Sequence, residues 1–153
     1  METDLSSAFQ RACREDILLE LFREDALQDL IPLFLSLYGG DSVLFFGEVA
    51  EMLSEEGSQQ GCPLGGLLFV LSIATIVEDI AREFPTVTVV GLADDYRFVG
   101  PAIDAMDATA TYRRRVEAVG HVFQVSKSWY FSHSPETMEL AAGHSRSETL
   151  TFG

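Results

Sequence analysis

An apolar, β-branched segment that runs into two adjacent aspartates constrains the fold of this chain more than any other feature. Residues 86–93 read TVTVVGLA, Asp94 and Asp95 follow, and residues 96–99 are again mostly apolar before Gly100 and Pro101. β-Branched and aromatic residues favour strands, whereas aspartate is a common turn residue. The pattern predicts a strand, a tight acidic turn and a second strand, with the first strand in the centre of a sheet.

The remaining pattern predicts helices and short strands around this hairpin. Helical spacing covers residues 10–38 and stops at Gly39, residues 42–53 are extended with a turn near Gly47, and residues 54–61 form a polar loop. An apolar helix over 63–84 should be buried, and an amphipathic helix over 103–119 places Ile103 and Met106 on its apolar side. A short strand is expected at 121–125. If residues 1–5 begin as a strand, the order is βαββαβ, an α+β antiparallel sheet with helices packed on one face.

Composition limits what the chain can do. Its 153 residues are enough for one domain with a core, and 47% of them are hydrophobic. The formal charge of −14 argues against strong nucleic-acid binding by the isolated chain, because affinity for phosphates comes mainly from Lys and Arg. No apolar run suits a membrane span or a secretory signal, so we expect no membrane association. Cys13 and Cys62 have no paired spacing, which favours reduced thiols in an intracellular protein, nuclear or cytoplasmic.

Three segments carry chemistry, and each has a plain structural alternative when taken alone. Asp94 and Asp95 could hold Mg²⁺ through their carboxylates, but they could also form a solvated turn. The loop over residues 57–64 (GSQQGCPL) could hold an anion near a helix N-terminus, or could simply start that helix. Asp4, before Phe9, could be no more than a helix N-cap.

Taken together, these segments resemble the motifs of reverse transcriptases, especially those of the non-LTR retrotransposon type. Residues 58–69 (SQQGCPLGGLLF) are similar to the family's B motif, and residues 91–100 (GLADDYRFVG) to its C motif. Residues 3–9 (TDLSSAF) resemble the A motif, and residues 120–128 (GHVFQVSKS) the D motif. The four occur in the family's order. The resemblance implies a polymerase palm with a partial fingers-side helical and hairpin insertion.

The resemblance also implies a two-metal site for nucleotidyl transfer. Asp4 and Asp94 would bridge two Mg²⁺ ions, or Mn²⁺ in their place, and Asp95 would be the supporting carboxylate. The main-chain carbonyl of Leu5 would complete the metal on the nucleotide side.

Four further residues would contact the incoming nucleotide by the same resemblance. Phe9 would lie under the sugar and favour deoxynucleotides, and Gln60 and Gly61 would line the nucleotide pocket. Lys127 would contact or protonate the leaving pyrophosphate. Phe9 could instead be a core residue, and Lys127 a solvated residue at the end of a strand.

Residues 1–153 would then be a single partial reverse transcriptase domain, with fingers upstream and a thumb downstream both missing. Its partners by resemblance are an RNA or DNA template with a primer, and dNTPs, although an acidic fragment should bind nucleic acid weakly. Two alternatives stay open. One is a catalytically inactive palm remnant or interaction module, and the other is a different palm enzyme such as a nucleotide cyclase or an RNA-templated RNA polymerase.

Overall fold

The computed structural model describes residues 1–40, 42–46, 50–59 and 61–139. In chain order the regular elements are β1 (Glu2–Thr3), β2 (Leu5–Ser6), α1 (Arg14–Arg23), α2 (Ile31–Tyr38), β3 (Ser42–Phe46), β4 (Ala50–Ser54), α3 (Gly65–Glu83), β5 (Thr88–Leu92), β6 (Asp95–Val99), α4 (Ala102–Ala118) and β7 (Val122–Phe123). Short 3₁₀ turns cover Phe9–Arg11, Asp25–Leu30 and Val125–Lys127.

The chain forms two compact units. One consists of Met1–Ala8 and the chain from Thr75 onward, and the other of Phe9–Ala74. The first unit contains β1, β2, β5–β7 and α4, and the second contains α1, α2, β3 and β4. The boundary falls within α3.

The strands of the first unit pair antiparallel throughout. β1 pairs with β6, and β6 pairs with β5, so the three-stranded order is β1-β6-β5. β2 pairs with β7. Because Asp4 alone separates β1 from β2, the opening segment of the chain has β6 as one partner and β7 as the other. The predicted α+β class is confirmed in its coarse form, since the described residues combine helices with small antiparallel sheets.

Strand β6 supplies the apolar face that helix α4 covers. Its residues alternate, with Tyr96 and Phe98 buried and Asp95, Arg97 and Val99 exposed. The Tyr112 ring of α4 lies 5.5 Å from the ring of Tyr96 and 5.3 Å from that of Phe98. Period-two alternation therefore puts the aromatic residues of β6 under the helix.

Three details differ from the sequence-based expectations. Strand β5 is an edge strand of the described sheet, not a central one, and its Leu92 side chain is 81% exposed. β-Branched composition shows only that residues fit a pleated surface, which an edge strand also provides. Ile103 is exposed, because the buried face of α4 is formed by Ala105, Met106 and the residues that follow at helical spacing. The strand expected over 121–125 is only Val122–Phe123, since a 3₁₀ turn begins at Val125.

The second unit is organised around one arginine. Arg14, in the first turn of α1, donates hydrogen bonds to the carbonyl oxygens of Ser54, Gly57 and Glu56 at 2.7, 3.1 and 3.2 Å. Its guanidinium also lies 5.2 Å from the centre of the Tyr38 ring. Arg14 thereby attaches the polar loop after β4 to helix α1.

The helical and extended segments of this unit follow the prediction. Helix α2 has a proline in its first turn, as favoured there, and ends at Gly39, whose N–H donates to the Leu35 carbonyl at 2.9 Å. Strands β3 and β4 pair as a hairpin from Ser42↔Ser54 to Phe46↔Ala50. The turn expected near Gly47 lies outside the described residues. Among the described helices, none is long and apolar enough to cross a bilayer.

Candidate functional site

The acidic pair lies in a tight β-hairpin. Leu92 and Asp95 are paired as the last residues of β5 and the first of β6, so Ala93 and Asp94 form a two-residue loop. Ala93 has a φ of 53°, in the left-handed region that disfavours residues with a side chain. Asp94 is half-buried and Asp95 is exposed. The hairpin presents both carboxylates at one end of the sheet, as the strand–turn–strand pattern predicts.

Asp4 is brought to the same end by the pairing of β1 with β6. Thr3 is the register partner of Tyr96, and the next residue on each strand toward the hairpin is Asp4 on one and Asp95 on the other. The buried Thr3 hydroxyl donates to the Tyr96 carbonyl at 3.1 Å, and the Gln124 N–H donates to the Asp4 carbonyl at 2.9 Å. Asp4 is therefore held through its backbone between two neighbouring strands.

Lys127 contacts the Asp4 side chain. Its Nζ lies 3.2 Å from Asp4 Oδ2, with 68% of the lysine side chain and 20% of the aspartate side chain exposed. Asp4 Oδ2 itself has almost no accessible surface and no hydrogen-bond partner among the described residues. The distance is that of an ion pair, but the angles are not those of a hydrogen bond, so the ammonium balances the charge without satisfying the oxygen. Lys127 therefore lies beside Asp4, at the end of the sheet where the aspartates are, and is not only a solvated residue.

The described residues contain no group of three or more His, Cys, Asp or Glu side chains arranged to hold a metal ion. The donors at the acidic end are nevertheless the carboxylate oxygens that Mg²⁺ prefers. Asp4 Oδ2 is a buried oxygen with unused hydrogen-bonding capacity, which fits a ligand position. The carboxylate oxygens of these residues are suitable ligands for a divalent ion. One of them, Asp4 Oδ2, lies in an ion pair with Lys127 in this structure.

Two of the described residues expected to contact a nucleotide, Phe9 and Gly61, belong to the second unit. The Phe9 ring is half-buried and lies 5.5 Å from that of Phe69, so it has a packing role there. Gly61 is exposed, has a φ of 86°, and would meet nothing within 4 Å if it carried a Cβ. Gln60 lies outside the described residues. In the first unit, Leu5 is buried and paired with Phe123 of β7.

Sequence reasoning missed Tyr112, a fully buried tyrosine of α4. Burial raises the pKa of its phenol well above the usual range, and Tyr96 and the Asp94 carboxylate raise it further. Its hydroxyl has no hydrogen-bond partner among the described residues. The available signal was the helical spacing of Ala105, Thr109, Tyr112 and Val116, which places Tyr112 in the middle of the buried face.

Comparison with models of known protein families finds no match, and comparison with curated proteins finds none at a significant level.

Proposed function

We propose that this chain is the palm of an RNA-directed DNA polymerase, which transfers deoxynucleotides to a primer 3′-hydroxyl with two divalent ions. The observation that carries the proposal is the register Thr3↔Tyr96, which puts Asp4 at the same sheet end as Asp94 and Asp95. These carboxylates are separated by 90 residues of sequence, so only the fold brings them to one end. The motif resemblance assigns metal-binding roles to the same three residues.

The strand pairing supports a palm over an unrelated α+β fold. The opening segment, through β1 and β2, lies between the third and fourth strands of the βαββαβ order. The connection from β2 to β5 runs through α1, α2, β3 and β4 and ends in helix α3, and β6 lies between β1 and β5 in the sheet. This strand order is compatible with the split βαβ arrangement of the palm that the motif resemblance implies. It was expected only if residues 1–5 began as a strand, and they do so as β1 and β2.

The strained hairpin loop supports a functional role for its aspartates. A non-glycine residue in the left-handed region costs about 1 kcal/mol, and glycine at position 93 would avoid that cost. Such strain tends to lie at functional sites, where the surrounding structure holds it. Ala93 directly precedes Asp94, so the strain lies beside a proposed metal ligand.

In this proposal each residue has a defined task. Two divalent ions would stabilise the attacking and leaving oxygens of phosphoryl transfer. Asp4 and Asp94 would hold both ions, and Asp95 would support them from the exposed side of the hairpin. Lys127, beside Asp4, would keep a proton and a positive charge close to the acidic end, where a leaving pyrophosphate develops negative charge.

Calorimetric titration of the chain with Mn²⁺ and Mg²⁺ tests the metal site. Asp4→Asn and Asp94→Asn should each weaken or abolish binding, because each removes a charged ligand. Asp29→Asn, which makes the same change at an exposed position of the second unit, is the matched control and should bind as the unaltered chain does. Equal binding by all four proteins would refute the metal assignment.

A palm-derived interaction module without catalysis is the second candidate. Two observations favour it: Lys127 forms an ion pair with Asp4, and the formal charge of −14 opposes nucleic-acid binding. Primer extension on an RNA template, with Mg²⁺ or Mn²⁺ and dNTPs, separates the two candidates when the chain is joined to fingers and a thumb, because the partial domain alone should extend a primer poorly. Extension that is lost on Asp94→Asn supports the polymerase, whereas metal binding without extension supports the module.

A further inference from the structure

The outer edge of β5 presents backbone groups that no described strand uses. β5 comes last in the strand order β1-β6-β5, so β6 is its one strand partner in the described part of the chain. Phe98 of β6 exchanges both of its backbone hydrogen bonds with Met1, at 2.7 and 2.8 Å, so its N–H and C=O face away from β5. In an antiparallel pair, the residue opposite such a position also directs its backbone groups outward. Val89, the register partner of Phe98, and Gly91, two residues further along, therefore direct their N–H and C=O groups to the open edge.

This edge lacks the features that usually protect the edge of a sheet. Natural edge strands commonly carry a charged residue, a proline or a bulge, each of which opposes pairing with another chain. Residues 88–92 read TVVGL, and all five pair in continuous register with β6. Val90 is 53% exposed and Leu92 is 81% exposed. An unprotected, apolar edge of this kind can accept a further strand.

The exposed side chains of β5 lie on the face of the sheet opposite α4. Val90 is paired with Arg97, an exposed residue of β6. Leu92 is paired with the exposed Asp95, whereas Tyr96, between those two β6 residues, is buried against α4. A strand added to β5 would place every second side chain beside Val90 and Leu92, because opposed residues of paired strands share a face. The edge thus specifies an extended segment with apolar residues at alternate positions.

Negative charge lies at both ends of β5. Asp94 and Asp95 follow the strand, and Asp104 accepts a hydrogen bond from the hydroxyl of Thr86, two residues before the strand begins. None of these three aspartates has an ion-pair partner among the residues that the structure describes, whereas Arg97 of β6 already has a glutamate partner at 3.2 Å. Positive side chains on a bound segment would therefore meet unpaired carboxylates.

The same charges disfavour a second copy of this chain as the occupant. If two β5 strands paired antiparallel, Asp94 of each copy would approach Asp104 of the other, and each copy has a formal charge of −14. Like charges placed close together across an interface oppose association. A basic partner gains at the positions where a second copy would lose.

We propose that the free edge of β5 binds an extended, basic segment of a partner protein, which becomes a further strand beside β5. The backbone of this segment bonds to Val89 and Gly91, and its alternating apolar side chains cover Val90 and Leu92. Lys or Arg near its two ends lie close to the aspartates that flank β5. The proposal goes beyond the polymerase chemistry and requires no metal ion, because the edge is formed by backbone groups of β5.

The test uses the full 153-residue chain without divalent ions and the labelled peptide acetyl-KVTVTVK-amide, with acetyl-EVTVTVE-amide as the charge-reversed control. Fluorescence anisotropy gives the dissociation constants, and amide hydrogen exchange followed by NMR locates the bound peptide. Val90→Lys places a charge on the edge. Val122→Lys makes the same change at a residue of β7 that is 41% exposed, and it is the matched control.

We expect the basic peptide to bind with an affinity that falls as NaCl is added, because exposed charges are screened by salt. The acidic peptide should bind at least about 10-fold more weakly. Val90→Lys should weaken binding of the basic peptide about 5-fold or more, whereas Val122→Lys should leave it unchanged. Binding should slow the exchange of the Val89 and Gly91 amides, and it should change that of Val90 little, because the Val90 N–H already faces β6.

Three results would overturn the proposal. The first is no binding of the basic peptide, or equal binding of the two peptides. The second is binding that leaves exchange of the Val89 and Gly91 amides unchanged, because the peptide then lies elsewhere; this result is decisive even if Val90→Lys does not fold. The third is sedimentation of the unaltered chain as a dimer that Val90→Lys converts to a monomer, because a second copy then occupies the edge.

Discussion

Substituting Gly91 by alanine probes the contact between the two strands of the acidic hairpin. Gly91 is paired with Tyr96, whose ring lies directly over it: a Cβ at position 91 would be 2.8 Å from ring atoms Cδ1 and Cζ. The ring has little room to move, because Tyr96 is only 4% exposed and its neighbour Tyr112 lies 5.5 Å away between ring centres. The added methyl group must therefore displace a packed aromatic side chain.

The expected cost follows from this geometry. Forcing an extra carbon into a packed region typically destabilises by about 1–3 kcal/mol. We expect about 2 kcal/mol for Gly91→Ala, which lowers the melting temperature by roughly 4–8 °C for a chain of this size. Gly66→Ala is the matched control, since a Cβ there meets nothing within 4 Å. Alanine in α3 should be neutral or stabilise by up to about 1 kcal/mol.

Urea unfolding followed by tryptophan fluorescence measures the effect in the first unit. Trp129 is the chain's single tryptophan, and its backbone exchanges two hydrogen bonds with Glu2 of β1. A cycle with Tyr96→Leu assigns the cause, because removing the ring should recover at least about 1 kcal/mol of the cost of Gly91→Ala. Additive effects of the two substitutions, or a neutral Gly91→Ala, would show that the ring does not restrict position 91.

Three further predictions concern other parts of the chain. Gly57→Ala should lower the free energy of unfolding by more than about 2 kcal/mol. Gly57 has a φ of 73°, and a Cβ added there would lie 2.6 Å from the Cα of Gln10. A melting temperature equal to that of the unaltered chain would contradict this. Lys127→Met should change the free energy of unfolding by less than about 1 kcal/mol, since the lysine is mostly exposed. It should also tighten Mn²⁺ binding, because the ammonium no longer competes for Asp4; weaker binding in calorimetry would refute that competition. Stability should be independent of the buried Tyr112 phenol below pH ~10 and fall as pH rises above it, because the folded state keeps a proton that the unfolded state loses. Tyr112→Phe should flatten this alkaline slope in urea titrations, and an unchanged slope would exclude Tyr112 as its source.

Local sequence patterns were sufficient to predict the helices and strands. They were not sufficient to predict which strands pair with one another. The mostly apolar residues 96–99 after the two aspartates predicted the second strand, and Gly39 predicted the end of helix α2, because both depend on residues close in sequence. The edge position of β5 could not be predicted in this way. Strand order depends on which distant segment pairs with which, and β-branched composition is common to edge and central strands.

The sequence allowed the residues of the candidate site to be named, but it did not indicate the contacts that those residues make. Asp94 and Asp95 were found from a strand that stops at two carboxylates, and Asp4 from its place in an ordered set of motifs. The ion pair between Asp4 and Lys127 joins residues more than 120 positions apart, so no local pattern indicates it. The strain at Ala93 was equally hidden, because alanine is not a residue that normally marks a left-handed turn position.

Three carboxylates lie at one end of the sheet, and their like charges repel one another there. The Lys127 ammonium offsets little of this, because an ion pair with a mostly exposed lysine contributes only about 0–1 kcal/mol. Backbone strain at Ala93 adds to the cost at the same hairpin, where glycine would avoid it. The divalent ions proposed for this site would relieve the repulsion between the carboxylates. The proposed ligand would thus account for an arrangement that stability alone does not favour.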